Sequence, residues 1–214
     1  MHGELRRVEH VAQAFADLVA AEAPTSIALS GGTTARTCYE LLAVADVEWS
    51  EVDVWFGDER WVPVHDHDSN EGMARVTFLD EMEPRSVHSM YGAGETIEEA
   101  AEAYDRELRA APPIALVHLG LGPDGHTASL FPGAPELDVD DRLVVTAGDD
   151  DHPHPRLTFT FPAIARAQLV VVTVAGADKR PALDRIRAGD DLPGSRIRGE
   201  RVVWLVDEAA AGTA

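Results

Sequence analysis

The chain has 214 residues, 45 % hydrophobic and 26 % charged, which is typical of one large globular domain. Eighteen Lys and Arg residues against 38 Asp and Glu give a formal net charge of −20, which disfavours binding to nucleic acid or to an anionic membrane. No apolar segment is long enough to span a bilayer, the N-terminus lacks a signal-peptide pattern and a single cysteine excludes an internal disulfide, so we expect a cytoplasmic protein.

Helical and strand patterns alternate along the whole chain. In chain order, the patterns predict a helix over 8–19, a strand at 26–29, a helix over 38–45, a strand at 52–56, a helix over 97–108, strands at 114–119, 157–161 and 169–174, a helix from near Lys179 and a strand at 202–206. The third helix begins at a capping box, in which Thr96 and Glu99 satisfy each other's free amides.

This alternation predicts an α/β fold of three layers: a doubly wound, mostly parallel sheet with helices on both faces. The polar segment at 148–155 contains two prolines and resembles a linker, but the strands after it are needed to widen the sheet. We therefore expect a single domain over residues 1–214.

A glycine-rich loop follows the first predicted strand. Gly31 and Gly32 let an anion approach the backbone amides, and Thr33 adds a hydroxyl at the start of a helix. The loop matches neither the Walker pattern nor the dinucleotide-binding pattern. A phosphate site and an ordinary helix-capping turn both fit this segment.

Three charged residues follow the strand at 52–56. Ligands bind beyond the carboxyl ends of strands in open α/β sheets, so Asp58 can orient a base there and Arg60 can hold an anion. Taken alone, Asp58, Glu59 and Arg60 are more typical of a charged surface.

The most specific segment spans residues 119–133, where an apolar strand ends in a loop rich in glycine. Histidine is the usual general base near neutral pH, and we expect His126 to have this role, with Asp124 or Asp58 holding its ring. Lys179 is the single lysine of a chain that contains 17 arginines. A functional requirement and chance explain its presence equally well.

Two other histidine groups have spacings that fit a metal ion. His65 and His67 form one, and His152 and His154 the other. Neither has a further ligand set that the sequence reveals, so solvated loops are the better interpretation.

Together these segments resemble the 6-phosphogluconolactonase family, which shares a superfamily with the glucosamine-6-phosphate isomerases/deaminases. The matching segments are residues 30–33, 57–63, 68–70, 120–133, 155–158 and 176–179. The block from Asp124 to Phe131 is highly specific and the others are modest. One departure is Ala35, where the family often has proline; this removes no functional group.

The resemblance implies hydrolysis of 6-phospho-D-glucono-1,5-lactone in the pentose phosphate pathway, with no metal or organic cofactor. It implies that His126 is the base and that Asp58 is a second polar group near the reacting carbon. It also implies a set of substrate and phosphate ligands: Gly31, Gly32, Thr33, Arg60 and Lys179. We expect a monomer whose partner is a small sugar phosphate, without nucleic acid or membrane.

Two alternatives remain. A glucosamine-6-phosphate isomerase/deaminase would carry an Asn-Glu-Pro segment soon after its Asp-Gly-His, but this chain has Ser-Leu-Phe-Pro at residues 129–132. A non-catalytic sugar-phosphate sensor would need a DNA-binding module, and a single short helix is predicted before Ser26.

Overall fold

The computed structural model describes residues 1–148 and 153–212, and over these ranges it forms two sheets surrounded by helices. The strands are β1 (Glu4–Arg7), β2 (Ser26–Leu29), β3 (Asp53–Phe56), β4 (Asp58–Arg60), β5 (Ser86–Val87), β6 (Leu116–Gly120), β7 (Val144–Ala147), β8 (Arg156–Phe159), β9 (Leu169–Val174) and β10 (Arg201–Val206). The α-helices are α1 (Val11–Glu22), α2 (Thr33–Leu42), α3 (Asn70–Ala74), α4 (Asp80–Met82), α5 (Ile97–Ala110), α6 (Phe161–Ala165), α7 (Arg180–Ala188) and α8 (Glu208–Ala211). A π-helical segment, Arg75–Leu79, joins α3 to α4.

The main sheet has seven strands in the order β1-β10-β9-β6-β2-β3-β5, and all of its pairs are parallel. From β2 the chain adds β3 and then β5 on one side, and it returns to place β6 on the other side. The direction of winding therefore reverses between β2 and β6. Loops that leave the carboxyl ends of two such strands diverge and open a crevice between them.

The core lies on both faces of this sheet. All six residues of β9 are buried, and so are five of the six in β10, which is expected only where helices cover both faces. The predicted doubly wound α/β architecture is confirmed. Among the described residues, no helix combines the length and the apolar character needed to cross a lipid bilayer.

Three sequence-based predictions need correction. The segment predicted as a strand at 157–161 forms β8, which widens a separate antiparallel sheet of order β4-β8-β7 and not the main sheet. The edge strand β1 was not predicted, because Glu4 and Arg6 interrupt its apolar pattern. Only half of the capping box forms: Thr96 Oγ1 accepts the Glu99 amide at 3.2 Å, but Glu99 Oε2 accepts the amide of Glu95.

Candidate active site

One open cleft of about 200 Å³ lies beyond the carboxyl ends of β2, β3, β6 and β9, at the point where the winding reverses. The seven residues that the sequence singles out for the site all line it: Gly31, Gly32, Thr33, Asp58, Arg60, His126 and Lys179. The structure thus brings together four segments that are far apart in the chain. The role of each residue stays a prediction.

The glycine loop forms one wall of the cleft. Gly32 occupies the N-cap of α2 with a φ of 92°, a conformation that favours glycine, and no side chain caps the helix. Thr33 is therefore the first helical residue and not the cap. A Cβ atom on Gly31 would lie 1.9 Å from Asn70 Oδ1, so the close approach of α3 requires glycine here. Among the described residues, none accepts a hydrogen bond from the amides of Gly31, Gly32 or Thr33.

The Glu59 side chain, 1 % exposed, anchors the turn that opposes this loop. Its Oε1 accepts the amides of Arg60 and Asn70, and its Oε2 accepts the Glu71 amide and the Ser69 hydroxyl, all within 3.0 Å. Burial raises the pKa of Glu59 to about 7, although these four donors act in the opposite direction. Glu59 therefore fixes β4 against the start of α3 from beneath and does not face the cleft.

This anchored turn holds the guanidinium of Arg60. Arg60 Nη1 donates to Asp68 O at 2.7 Å and to Asn70 Oδ1 at 3.0 Å. Asn70 Nδ2 in turn donates to Asp58 O at 2.8 Å. Asn70 lines the cleft, whereas from the sequence it was included only within the matching segment 68–70 and was assigned no role.

His126 lines the cleft, and Asp124 is its hydrogen-bond partner. Asp124 Oδ1 lies 2.6 Å from His126 Nδ1 and also accepts the His126 backbone amide at 3.1 Å. Partial burial raises the pKa of Asp124, but the backbone hydrogen bond and the charge of His126 outweigh it and leave that pKa below its usual value. A carboxylate at Nδ1 keeps a proton there, which leaves Nε2 as the basic nitrogen.

The absence of a Cβ atom at Gly122 makes room for the His126 ring. A Cβ atom on Gly122 would lie 2.1 Å from His126 Nδ1 and 2.7 Å from Asp124 Oδ1. The Gly122 amide donates to His126 O at 2.8 Å, so this amide is engaged within the loop. The glycine-rich loop is therefore shaped around the histidine, and Gly122 is unavailable as a donor to substrate.

Asp58 lies apart from the imidazole. Its side chain is buried, and its Oδ2 accepts the Ser129 hydroxyl at 2.7 Å. Of the two carboxylates considered for orienting His126, Asp124 is the one in contact with it. Asp58 still lines the cleft and presents negative charge to whatever binds there.

Arg156 is a cleft residue that the sequence did not single out. It lies on β8 directly opposite Arg60 of β4, and it is 9 % exposed. Its guanidinium carbon is 5.6 Å from the centre of the Phe131 ring, and its Nη1 is 3.4 Å from Ser129 Oγ. An arginine beside Leu, Thr and Phe in a buried strand was the available signal, because arginine is rarely buried unless it is paired.

Lys179 reaches the cleft from the turn before α7. It ends the 3₁₀ turn Ala177–Lys179, so α7 begins one residue after the predicted start near Lys179. Its Nζ lies 3.1 Å from Asp178 Oδ2. This partner carboxylate is 64 % exposed, so an anion entering the cleft can compete for the ammonium group.

The histidine loops lie outside this cleft. His67 is exposed between Asp66 and Asp68, and His154 Nε2 lies 3.0 Å from Asp68 Oδ2. The His67 cluster has the spacing of a metal site, but exposed acidic groups commonly have this spacing without a metal ion. His152 lies outside the described residues.

The chain is similar to known proteins over most of its length, in both sequence and structure. Residues 5–204 match the family model described as glucosamine-6-phosphate isomerases/6-phosphogluconolactonase. A 6-phosphogluconolactonase from Synechocystis sp. is 42 % identical over 201 residues, which cover 86 % of this chain and 82 % of the relative. Among solved structures, 6-phosphogluconolactonase from Thermotoga maritima superimposes with a TM-score of 0.87 at 29 % identity, over 95 % of this chain and 99 % of the other. The Trypanosoma brucei 6-phosphogluconolactonase gives 0.86 at 26 %, over 98 % of each.

Proposed function

Because the chain belongs to the glucosamine-6-phosphate isomerase/6-phosphogluconolactonase family, we propose that it hydrolyses 6-phospho-D-glucono-1,5-lactone to 6-phospho-D-gluconate, a step of the pentose phosphate pathway. It is then a carboxylic-ester hydrolase. The observation that carries this proposal is that His126, whose Nδ1 is held by Asp124, lines the same cleft as the glycine loop and Arg60. The cleft therefore combines a base with amides and cations.

Ester hydrolysis needs a water molecule that is deprotonated as it attacks. With Nδ1 held by Asp124, His126 Nε2 accepts the proton of a water that attacks the lactone carbonyl. The resulting imidazolium is stabilised by the Asp124 carboxylate and then gives its proton to the ring oxygen as the C–O bond breaks. The nucleophile elbow Gly-x-Ser-x-Gly is absent from the sequence, so a serine nucleophile is disfavoured.

The phosphate group takes no part in this chemistry and fixes the orientation of the substrate. The amides of Gly31, Gly32 and Thr33 lie at the N-terminus of α2, where the helix dipole favours an anion. Arg60 is rigidly held beside them, and Lys179 adds a second positive charge. Asp58 is placed to accept a hydrogen bond from a sugar hydroxyl or from the water.

The competing isomerase/deaminase reaction has less support. The segment that would carry its extra acid here consists of Ser129, which donates to Asp58, followed by the buried Leu130 and Phe131. We also propose that the protein acts as a cytoplasmic monomer without nucleic acid, metal or organic cofactor. The net charge of −20 opposes binding to nucleic acid.

The test is hydrolysis of freshly generated 6-phosphogluconolactone with the spontaneous rate subtracted. Unphosphorylated gluconolactone is the matched substrate, and it should react far more slowly. Ammonia release from glucosamine 6-phosphate is measured in parallel. A rate no greater than the spontaneous one, or deamination of glucosamine 6-phosphate, would refute the proposal. Sedimentation measures the oligomeric state independently.

A further inference from the structure

A chain of buried hydrogen bonds runs beneath the cleft and is not used by the proposed reaction. The Ser30 amide donates to Tyr39 Oη at 2.7 Å, Tyr39 Oη lies 3.0 Å from His118 Nδ1, and His118 Nε2 lies 2.9 Å from Thr173 Oγ1. Tyr39 and His118 are both 0 % exposed, whereas Ser30 and Thr173 line the cleft. The chain therefore connects two cleft residues through the protein interior.

The four residues come from elements that meet below the site. Ser30 follows β2, His118 lies on β6 and Thr173 lies on β9, which are three adjacent strands of the main sheet. Tyr39 comes from α2, the helix whose N-terminus carries the glycine loop. The hydrogen bonds thus tie the carboxyl ends of three strands to the helix above them.

His118 acts here as a neutral group. Burial lowers its pKa to about 3, and the ring of Phe15 packs against it with the ring centres 4.1 Å apart. A neutral imidazole has one donor and one acceptor nitrogen, so its two hydrogen bonds must run in a consistent direction. His118 is then a structural relay and not a proton donor to substrate.

The direction of the chain follows from the Ser30 carbonyl. Tyr39 Oη lies 3.0 Å from Ser30 O, and among the described residues this hydroxyl is the one donor to that carbonyl. If Tyr39 donates there, its oxygen accepts from both the Ser30 amide and His118 Nδ1–H, and His118 Nε2 accepts the Thr173 hydroxyl. This arrangement gives each of these buried groups a partner. Thr173 Oγ1 also lies 3.5 Å from Leu119 O, but its contact with His118 Nε2, at 2.9 Å, is the shorter one.

We propose that Tyr39 and His118 are positioning residues that aim the glycine loop at the phosphate group of the substrate; this inference rests on the proposed function. In a trans peptide the C=O and the following N–H point in opposite directions. Because Tyr39 holds the Ser30 carbonyl towards the core, the Gly31 amide points away from Tyr39, towards the cleft. His118 keeps the Tyr39 hydroxyl in the orientation that does this.

Four variants test the inference by KM and kcat on the phosphorylated lactone. Tyr39→Phe keeps the ring but leaves both Ser30 groups without their partner, and KM should rise about tenfold while kcat changes less than about threefold. His118→Asn places an amide near the Nδ1 position, within reach of Tyr39, and should keep KM within about threefold of wild type. His118→Gln places its amide near Nε2, within reach of Thr173, and should raise KM about as much as Tyr39→Phe. The packing control is Phe15→Leu, which should lower the melting temperature without changing KM.

The outcomes separate positioning from stability. A KM for Tyr39→Phe equal to that of wild type, or equal effects of His118→Asn and His118→Gln, would overturn the inference. A rise in KM for Phe15→Leu as large as that for Tyr39→Phe would also overturn it, because general loosening would then explain the effect. If wild type does not hydrolyse the lactone, the proposed function fails by itself. Calorimetric binding of 6-phosphogluconate then decides the inference, which requires tenfold weaker binding to Tyr39→Phe than to wild type.

Discussion

Replacing Asp124 with asparagine isolates the contribution of one negative charge to catalysis. Asp124 Oδ1 accepts both the ring Nδ1–H of His126 and its backbone amide, at 2.6 and 3.1 Å. An asparagine oxygen can occupy the same position and accept both bonds. The ring orientation and the proton on Nδ1 should therefore persist, while the charge that stabilises the imidazolium disappears.

The expected loss follows from the two kinds of hydrogen bond. A bond to a charged group contributes about 1.5–3 kcal/mol and a neutral one about 0.5–1.5 kcal/mol, so Asp124→Asn should cost about 1 kcal/mol, or roughly fivefold in kcat. The side chain of Asp124 is 46 % exposed, and solvent screening keeps the effect at the lower end of this range. Asp124→Ala removes the orienting oxygen as well and should lower kcat about 10²-fold.

A comparison with Asp124→Ala distinguishes this role from a structural one. Asparagine keeps the oxygen that orients His126, so Asp124→Asn should lower kcat less than Asp124→Ala, with KM nearly unchanged in both variants. Asp66→Asn is the matched control, since Asp66 Oδ1 accepts the Asp68 amide at 2.9 Å and lies 3.2 Å from His67 Nδ1, outside the cleft. The reasoning is refuted if Asp124→Asn leaves kcat unchanged, or if it lowers kcat as much as Asp124→Ala does.

Four further predictions follow from the same geometry. His126→Asn should lower kcat about 10²-fold or more with KM nearly unchanged, and a near-normal kcat in the folded variant would mean that another group activates water. Lys179→Met should raise KM for the phosphorylated lactone about 10- to 100-fold but leave the slow hydrolysis of gluconolactone unaltered; equal losses on both lactones would contradict a phosphate contact. Gly122→Ala should displace His126 and lower kcat at least about tenfold. Gly57→Ala, whose Cβ would lie 3.5 Å from Leu29 O, should leave kcat unchanged in the same assay. Burial lowers the pKa of His118 to about 3, so the stability that the neutral imidazole contributes is complete above pH 6.5 and is lost as the pH falls towards 3. Between pH 6.5 and pH 5 the unfolding free energy of wild type should therefore fall by about 2 kcal/mol more than that of His118→Asn. An equal fall in both proteins, measured by denaturant unfolding, would disprove this.

The α/β architecture could be predicted because the hydrophobic patterns that indicate it lie within short segments of the sequence. Apolar strands alternating with amphipathic helices imply a parallel sheet, and in such a sheet the loops after the strands meet at one edge. The convergence of Gly31, Asp58 and His126 on one cleft follows from that topology. The placement of β8 does not, because a short apolar segment carries no information about which sheet it joins or in which direction it runs.

Contacts within the site depend on distances that spacing alone does not fix. Asp124 and Asp58 were equal candidates to orient His126, and only the turn at Gly122 decides for Asp124. Arg156 escaped notice because its position opposite Arg60 arises from strand pairing across almost a hundred residues. Long-range pairing of this kind leaves no periodic trace in the sequence.

The net charge of −20 and an anionic substrate are compatible because the relevant interactions differ in range. At physiological ionic strength charges are screened over about 8 Å, so the acidic surface acts weakly on a phosphate already in contact with Arg60 and the glycine loop. Near His126, in contrast, the proposed reaction creates a new negative charge close to acidic side chains. Hydrolysis converts an uncharged lactone carbonyl into a carboxylate in a cleft that also contains Asp58 and His126 with its partner Asp124. The carboxylate of the product is therefore repelled by the aspartate side chains, whereas the uncharged carbonyl of the substrate is not. This repulsion favours release of the product, while the phosphate contacts remain the same.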